Sequence, residues 1–291
     1  MSGPDPATLV ELAERVAREA GELVRTRPDT VDVASTKSSP TDIVTAMDTA
    51  SEALLRKAIH HERPEDGILG EEGGQATGVS GLTWVVDPID GTVNYLYGIP
   101  AYAISVAVVT GDPLDPSGHT VLAGCVHNPL SGETWTATTG GGAFLDGRPI
   151  QVNRKVPLDR ALVGTGFGYD AGRRRHAARI VAEVLPRVRD IRRIGSAALD
   201  LSALACGRLD AYYERGLGAW DLAAGGLIAR EAGALVGGLD GRPAGPELVV
   251  AAGPGLYEDL QELLGPLRPD RDGEDDDPGQ RGQRGGHGGD E

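Results

Sequence analysis

The segment Trp84 to Asn94, WVVDPIDGTVN, constrains this chain more than any other. An apolar run enters Asp87, Pro88 withholds the next strand hydrogen bond, and Asp90 follows three residues after Asp87. Gly91 and Thr92 then open a turn from which a helix can start. Two carboxylates at a strand end, beside free backbone N–H groups, make a place where cations and an anion meet. The amides of Gly91 and Thr92 can cradle a phosphate while the acids hold the metals that neutralise it. An Asp-Pro turn with helix-capping acids accounts for the same residues, and the segment alone leaves both open.

Other acids shift the balance. Glu71 and Glu72 lie in ILGEEGG, where a short apolar run again ends in glycines, and Asp221 lies in AWDLAAGG at a helix start. An isolated Asp there is ordinarily an N-cap. Taken together, Glu71, Asp87, Asp90 and Asp221 supply four negative charges before any substrate arrives. No histidine or cysteine accompanies them, so the pattern calls for hard divalent ions, Mg²⁺ before Mn²⁺ and well before Zn²⁺.

Around these motifs the hydrophobic rhythm divides the chain. Apolar residues at helical spacing (Leu9, Leu12, Val16, Ala20, Leu23) predict a helix over 7–27, and a second is expected over 48–61. Strand patterns follow at 68–69, 83–86, 103–110, 121–126 and 134–137, with GDPLDPSG (111–118) as a turn. This half reads as two helices on a largely antiparallel sheet. From Leu158 strands and helices alternate, as in an α/β unit. Expected strands cover 161–166, 190–194, 209–214 and 247–252, and expected helices 173–185, 197–206, 221–231 and 255–264. The domain expectation is therefore 1–155 and 156–267, each bringing acids to the site. Residues 268–291 carry eight acids and four arginines without one aliphatic side chain, and are expected to be a disordered acidic tail.

Charge narrows the function classes. The formal net charge is −15, the wrong sign for nonspecific nucleic-acid binding. No apolar run approaches the length of a membrane span, and the first residues show no secretory leader, so a cytoplasmic location is expected. Two cysteines, Cys125 and Cys206, cannot form a multi-cysteine metal site and read as buried thiols.

The spacings reach a family. The chain resembles the inositol monophosphatase family of Mg²⁺-dependent, lithium-sensitive phosphatases, nearest its bacterial branch. The resemblance rests on KSSPTDIVTAMD (37–48), GEEGG (70–74), WVVDPIDGT (84–92), GSAALD (195–200) and DAYYE to WDLAAG (210–225). It implies a layered α-β-α-β-α sandwich, two or three Mg²⁺ ions per site, a small-molecule phosphomonoester substrate and a homodimer. It further implies that Glu71 and the carbonyl of Ile89 ligate a first metal, and that Asp87 bridges the first and second. Asp90 and Asp221 complete the second site, and Glu71 shares in a third, weaker one. Thr92 and Asp48 orient the attacking water, with Glu71 counted among the catalytic groups. Gly91 and Thr92 bind phosphate, while Asp90, Ala197 and Glu214 face the substrate. Hydrolysis of myo-inositol monophosphate is the implied reaction. Histidinol phosphate, fructose 1,6-bisphosphate or an adenosine bisphosphate are the alternative substrates, and a regulatory binding protein retaining the site is the alternative class.

Several features have plainer readings. Gly164, Gly166 and Gly168 lack the third glycine of a dinucleotide loop, because position 169 is Tyr, and read as a tight turn. Arg173 to Arg175 read as a solvated helix face, and His60 and His61 as a helix end. Lys37 is one of only three lysines and fits a site or a surface role equally.

Overall fold

Alternation along the strands sets the layers. The computed structural model describes residues 5–28, 31–37 and 42–271. Its first half runs α1 (Pro6–Arg25), β1 (Val33–Thr36), β2 (Ile43–Thr45), α2 (Ala46–Glu62), β3 (Gly67–Gly70), β4 (Gly74–Ala76), β5 (Leu82–Asp90) and α3 (Thr92–Tyr97). Strands β6 (Ala103–Gly111), β7 (His119–His127), β8 (Thr134–Thr138), β9 (Gly142–Leu145) and β10 (Arg148–Pro149) follow. Eight of these strands form one sheet in the order β10-β9-β8-β7-β6-β5-β3-β4, antiparallel except where β3 and β5 pair. Trp84 and Val86 point to one face, where α1 and α2 pack, and Val85 points to the other. Helix α1 begins where Asp5 accepts the Ala7 N–H at 3.1 Å and Pro6 occupies the first helical position. Its buried stripe of Leu9, Leu12, Val16 and Ala20 then lies on the sheet.

The second half runs β11 (Leu162–Thr165), α4 (Ala171–Val184), β12 (Asp190–Arg192), α5 (Ala197–Ala205), β13 (Ala211–Glu214) and α6 (Ala219–Glu231). Strands β14 (Leu235–Gly237) and β15 (Val249–Ala252) and helix α7 (Leu256–Leu264) complete it. Its five-stranded sheet has the order β12-β11-β13-β15-β14, with parallel pairs at β11 and antiparallel pairs at β15. Helices α5 and α6 are buried between the two sheets, and α4 and α7 cover the outer face of the second. The result is the α-β-α-β-α sandwich that the family resemblance implied. Small residues make the middle layer thin. A Cβ on Gly124 of β7 would meet Ala224 Cα at 3.0 Å, and one on Gly225 would meet Leu201 Cβ at 3.0 Å. Either glycine enlarged to Leu would push α6 off its neighbours.

Three expectations need correction. Pro88 does not end β5: the strand continues to Asp90, and the register shifts between Asp87 and Asp90 where the missing N–H breaks the ladder. Short elements (β1, β2, β4, β9, β10 and β14) lie where no strand was expected, since two to four residues carry little periodicity. Cys125 is buried as expected, but Cys206 is only half-buried. Residues 272–291, including His287, and the 38–41 part of the first motif lie outside the described residues.

Candidate active site

The irregular end of β5 builds the floor of a cleft. Asp87 turns its carboxylate back to accept the Ile89 N–H at 3.0 Å, fixing the bend around Pro88. Gly91 follows with φ +102°, and a Cβ there would meet the Ala101 and Gly195 carbonyl oxygens at 3.0 and 3.1 Å. Only glycine suits both the angle and the close approach. Asp90 reaches the N-terminus of α5, accepting from Ser196 Oγ and Ala198 N–H, each at 2.6 Å. Asp221 accepts the Gly218 N–H at 2.6 Å, so it caps α6 and still faces the cleft. One oxygen from each of Asp87, Asp90 and Asp221 lies within 4.8 Å of the others.

That arrangement is electrostatically incomplete. Burial first, and then the charges of Glu71, Asp90 and Asp221, push the Asp87 carboxyl far above its ordinary range. Burial and the charges of Asp90 and Glu71 do the same to Asp221. Asp90 is also raised, chiefly by burial, although the Ser196 and backbone donors oppose the shift. Three oxygen-only, mutually repelling ligands, Asp87 and Asp90 buried and Asp221 half-buried, fit a hard divalent cation and suit neither a soft metal nor an anion.

Glu71 stands beside the three grouped carboxylates, and its Oε1 receives Lys37 Nζ at 2.6 Å. Burial still lifts it to about 7 against the opposing Lys37 charge, and its own charge acts on Asp87 and Asp221. Lys37 is thus a site residue, also bonded to Glu72 at 2.7 Å. The loop beneath is held by Glu52, which accepts the Glu72 and Gly73 N–H groups, both at 2.8 Å, while Arg56 Nε donates to it at 2.7 Å. Thr92 Oγ lies 3.0 Å from Asp48 Oδ1 and 3.1 Å from the Ile89 carbonyl oxygen, which its single proton can serve one at a time. The Thr45 N–H, at 2.8 Å, and the Thr45 hydroxyl tie the other Asp48 oxygen. Burial raises Asp48 despite these donors.

The cleft has a volume of about 1420 Å³ and takes in Ile89, Gly91, Thr92, Ala197 and Glu214. Glu214 is half-buried, accepts the Tyr212 hydroxyl at 2.6 Å, and is pushed up to about 7, mainly by burial. Arg173 and Arg174, on an exposed face of α4, also line this cleft, as do Pro113, Leu114 and Pro116 of the 111–118 turn.

Sequence reasoning overlooked the supports. Ser51 donates to the Pro88 carbonyl at 3.0 Å, and Glu52 carries the Glu72 turn. Their signal was available: Asp48, Ser51 and Glu52 fall at i, i+3 and i+4, a buried polar patch on α2. Ser196 lies within the GSAALD motif, but its bond to Asp90 spans 106 residues, beyond any local pattern.

Comparison with known proteins agrees with the architecture. Residues 5–271 match the inositol monophosphatase family. The inositol-1-monophosphatase SuhB of Mycobacterium tuberculosis is 49% identical over 282 residues, covering 89% of this chain and 95% of that protein. A protein of Xylella fastidiosa named Nus factor SuhB is 40% identical over 230 residues, covering 78% and 80%. The extragenic suppressor protein suhB of Bartonella henselae superposes with a TM-score of 0.81 at 32% identity, covering 88% of this chain and 98% of that one. Among the described residues no helix is long and apolar enough to cross a membrane. Family match, five-layer fold and acidic cleft agree: the chain belongs to the inositol monophosphatase family of metal-dependent phosphatases and is a phosphoric monoester hydrolase.

Proposed function

We propose that the protein hydrolyses myo-inositol monophosphate to myo-inositol and phosphate with two or three Mg²⁺ ions. The observation that carries this reading is the trio of Asp87, Asp90 and Asp221 within 4.8 Å, with Glu214 in the wall of the same cleft. Asp87, Asp90, Asp221, Glu71 and the Ile89 carbonyl would hold the ions. When bound, these ions neutralise phosphate charge and make water a better nucleophile near neutral pH. Thr92, anchored by Asp48, orients the attacking water, and the Gly91 and Thr92 amides receive phosphate oxygens. The water attacks phosphorus in line, so no covalent enzyme intermediate is needed.

Glu214 and the backbone at Ala197 would then meet the alcohol. A carboxylate suits vicinal hydroxyls, because charge-assisted bonds are about twice as strong as neutral ones. The same reading makes the enzyme a lithium-sensitive, cytoplasmic homodimer, and divides the chain at about residue 155 into two units that meet at the cleft. The relative named as a Nus factor favours a second reading, a binding role that keeps the phosphatase site. Steady-state assay on a panel of phosphomonoesters tests both. We expect the highest kcat/KM on inositol 1-phosphate, complete loss in excess EDTA and recovery with Mg²⁺. Full turnover in EDTA would end the metal assignment, and no turnover on any ester would favour the binding role.

A further inference from the structure

The glycines of β11 and the residues just after it are left over from the mechanism, and so is the buried phenol of Tyr212. Tyr212 and Glu214 alternate on β13 and share one face, and the phenol donates to Glu214 Oε2 at 2.6 Å. Tyr212 has no exposed surface, so that donor has no water to compete for it. Strand β11 runs parallel to β13, pairing Gly164 with Tyr212 and Thr165 with Tyr213. A Cβ on Gly164 would approach Tyr212 Cδ2 at 3.1 Å, and one on Gly166 would collide with the Glu214 carboxylate itself. Gly166 has no left-handed φ, so the missing side chain there answers a need for space.

We infer that Tyr212 and Gly166 are positioning residues that clamp Glu214, the phenol holding Oε2 and the glycine clearing the space for the carboxylate, so that Oε1 is presented to the substrate's hydroxyls. The inference rests on the proposed contact between Glu214 and the alcohol. It also gives the Gly164-Thr165-Gly166 segment a purpose: room for a carboxylate, where a dinucleotide loop would make room for a pyrophosphate.

The test compares Tyr212→Phe, Gly166→Ala and Glu214→Gln on inositol 1-phosphate and on p-nitrophenyl phosphate, which lacks vicinal hydroxyls, in saturating Mg²⁺. Tyr212→Phe keeps the ring and removes only the donor. We expect KM for inositol 1-phosphate to rise about five-fold with kcat within about two-fold, and p-nitrophenyl phosphate kinetics to hold. Gly166→Ala should give the same split by displacing the carboxylate from the other side. Neither change should raise KM further in a Glu214→Gln background. The clamp is overturned if KM for inositol 1-phosphate is unchanged in both variants, if both substrates lose equally, or if the loss persists without the Glu214 carboxylate. Should Glu214→Gln alone affect both substrates equally, the alcohol contact itself fails, an outcome distinct from an inert Tyr212→Phe beside a selective Glu214→Gln.

Discussion

The floor of the cleft and its Glu214 wall use the same functional group under opposite conditions. On the floor, Asp87, Asp90 and Asp221 crowd together, all raised by burial, and Asp87 and Asp221 also by neighbouring carboxylate charges. In the wall, Glu214 stands with a phenol donor at 2.6 Å, and the Arg193 charge partly offsets its burial. The floor is therefore unfavourable until cations arrive, whereas the wall is an acceptor already fixed in place. The difference teaches a division of labour, with chemistry at the floor and choice of alcohol at the wall.

The strongest way to break that comparison is Asp90→Asn. The change keeps shape and removes one charge from the trio, and Ser196 can still donate to the remaining oxygen. We expect kcat to fall more than about 100-fold on every phosphomonoester while the melting temperature of the metal-free protein holds or rises. A variant with half the wild-type kcat would show that Asp90 is not part of the reacting machinery.

Mg²⁺ and pH sharpen the same point at intermediate size. Carboxyls whose folded pKa lies above the unfolded value cost the metal-free fold stability as pH rises from the ordinary carboxyl range through the folded pKa. With Glu71 lifted to about 7 and Asp87 and Asp221 raised as well, the metal-free protein should melt lower at pH 8 than at pH 6. Mg²⁺ must displace those protons, so its stabilisation should be larger at pH 8, reaching about 2.7 kcal/mol at a hundred times Kd. Calorimetry showing an equal Mg²⁺ effect at both pH values would count against ligation by these acids.

Much of the floor was legible in the sequence, because Asp87, Asp90 and the Gly91-Thr92 turn sit within one continuous strand end. The helices and long strands were legible for a related reason: their periodicity persists over many residues. The role of Ser196 and the turning of Glu71 towards Lys37 were not, since both depend on packing between segments far apart in the chain. Pro88 misled in a third way, because an extended strand tolerates it through a register shift that no propensity encodes. The family resemblance supplied the fold's layer order, which alternation alone would have left as two separate sheets.

Asp200 offers the smallest effect, on stability alone. It is 1% exposed and its Oδ1 has no hydrogen-bond partner among the described residues. Burial, with the charges of Glu214 and Asp90, holds its carboxyl well above the usual range. It therefore detracts from stability as pH rises above the ordinary carboxyl value. Asp200→Asn should stabilise the fold by on the order of 1 kcal/mol at pH 8, with the gain vanishing towards pH 4. Chemical denaturation at the two pH values checks the trend, and destabilisation at pH 8 would mean the carboxylate has a partner.

The division between floor and wall is tested most directly by one paired measurement. The values of kcat/KM for Asp90→Asn and Glu214→Gln would be compared on inositol 1-phosphate and p-nitrophenyl phosphate in saturating Mg²⁺. We expect Asp90→Asn to lose the same large factor on both substrates. Glu214→Gln should lose about ten-fold on inositol 1-phosphate and almost nothing on p-nitrophenyl phosphate. Equal losses from Glu214→Gln on both esters, or an Asp90→Asn loss confined to one, would contradict the account.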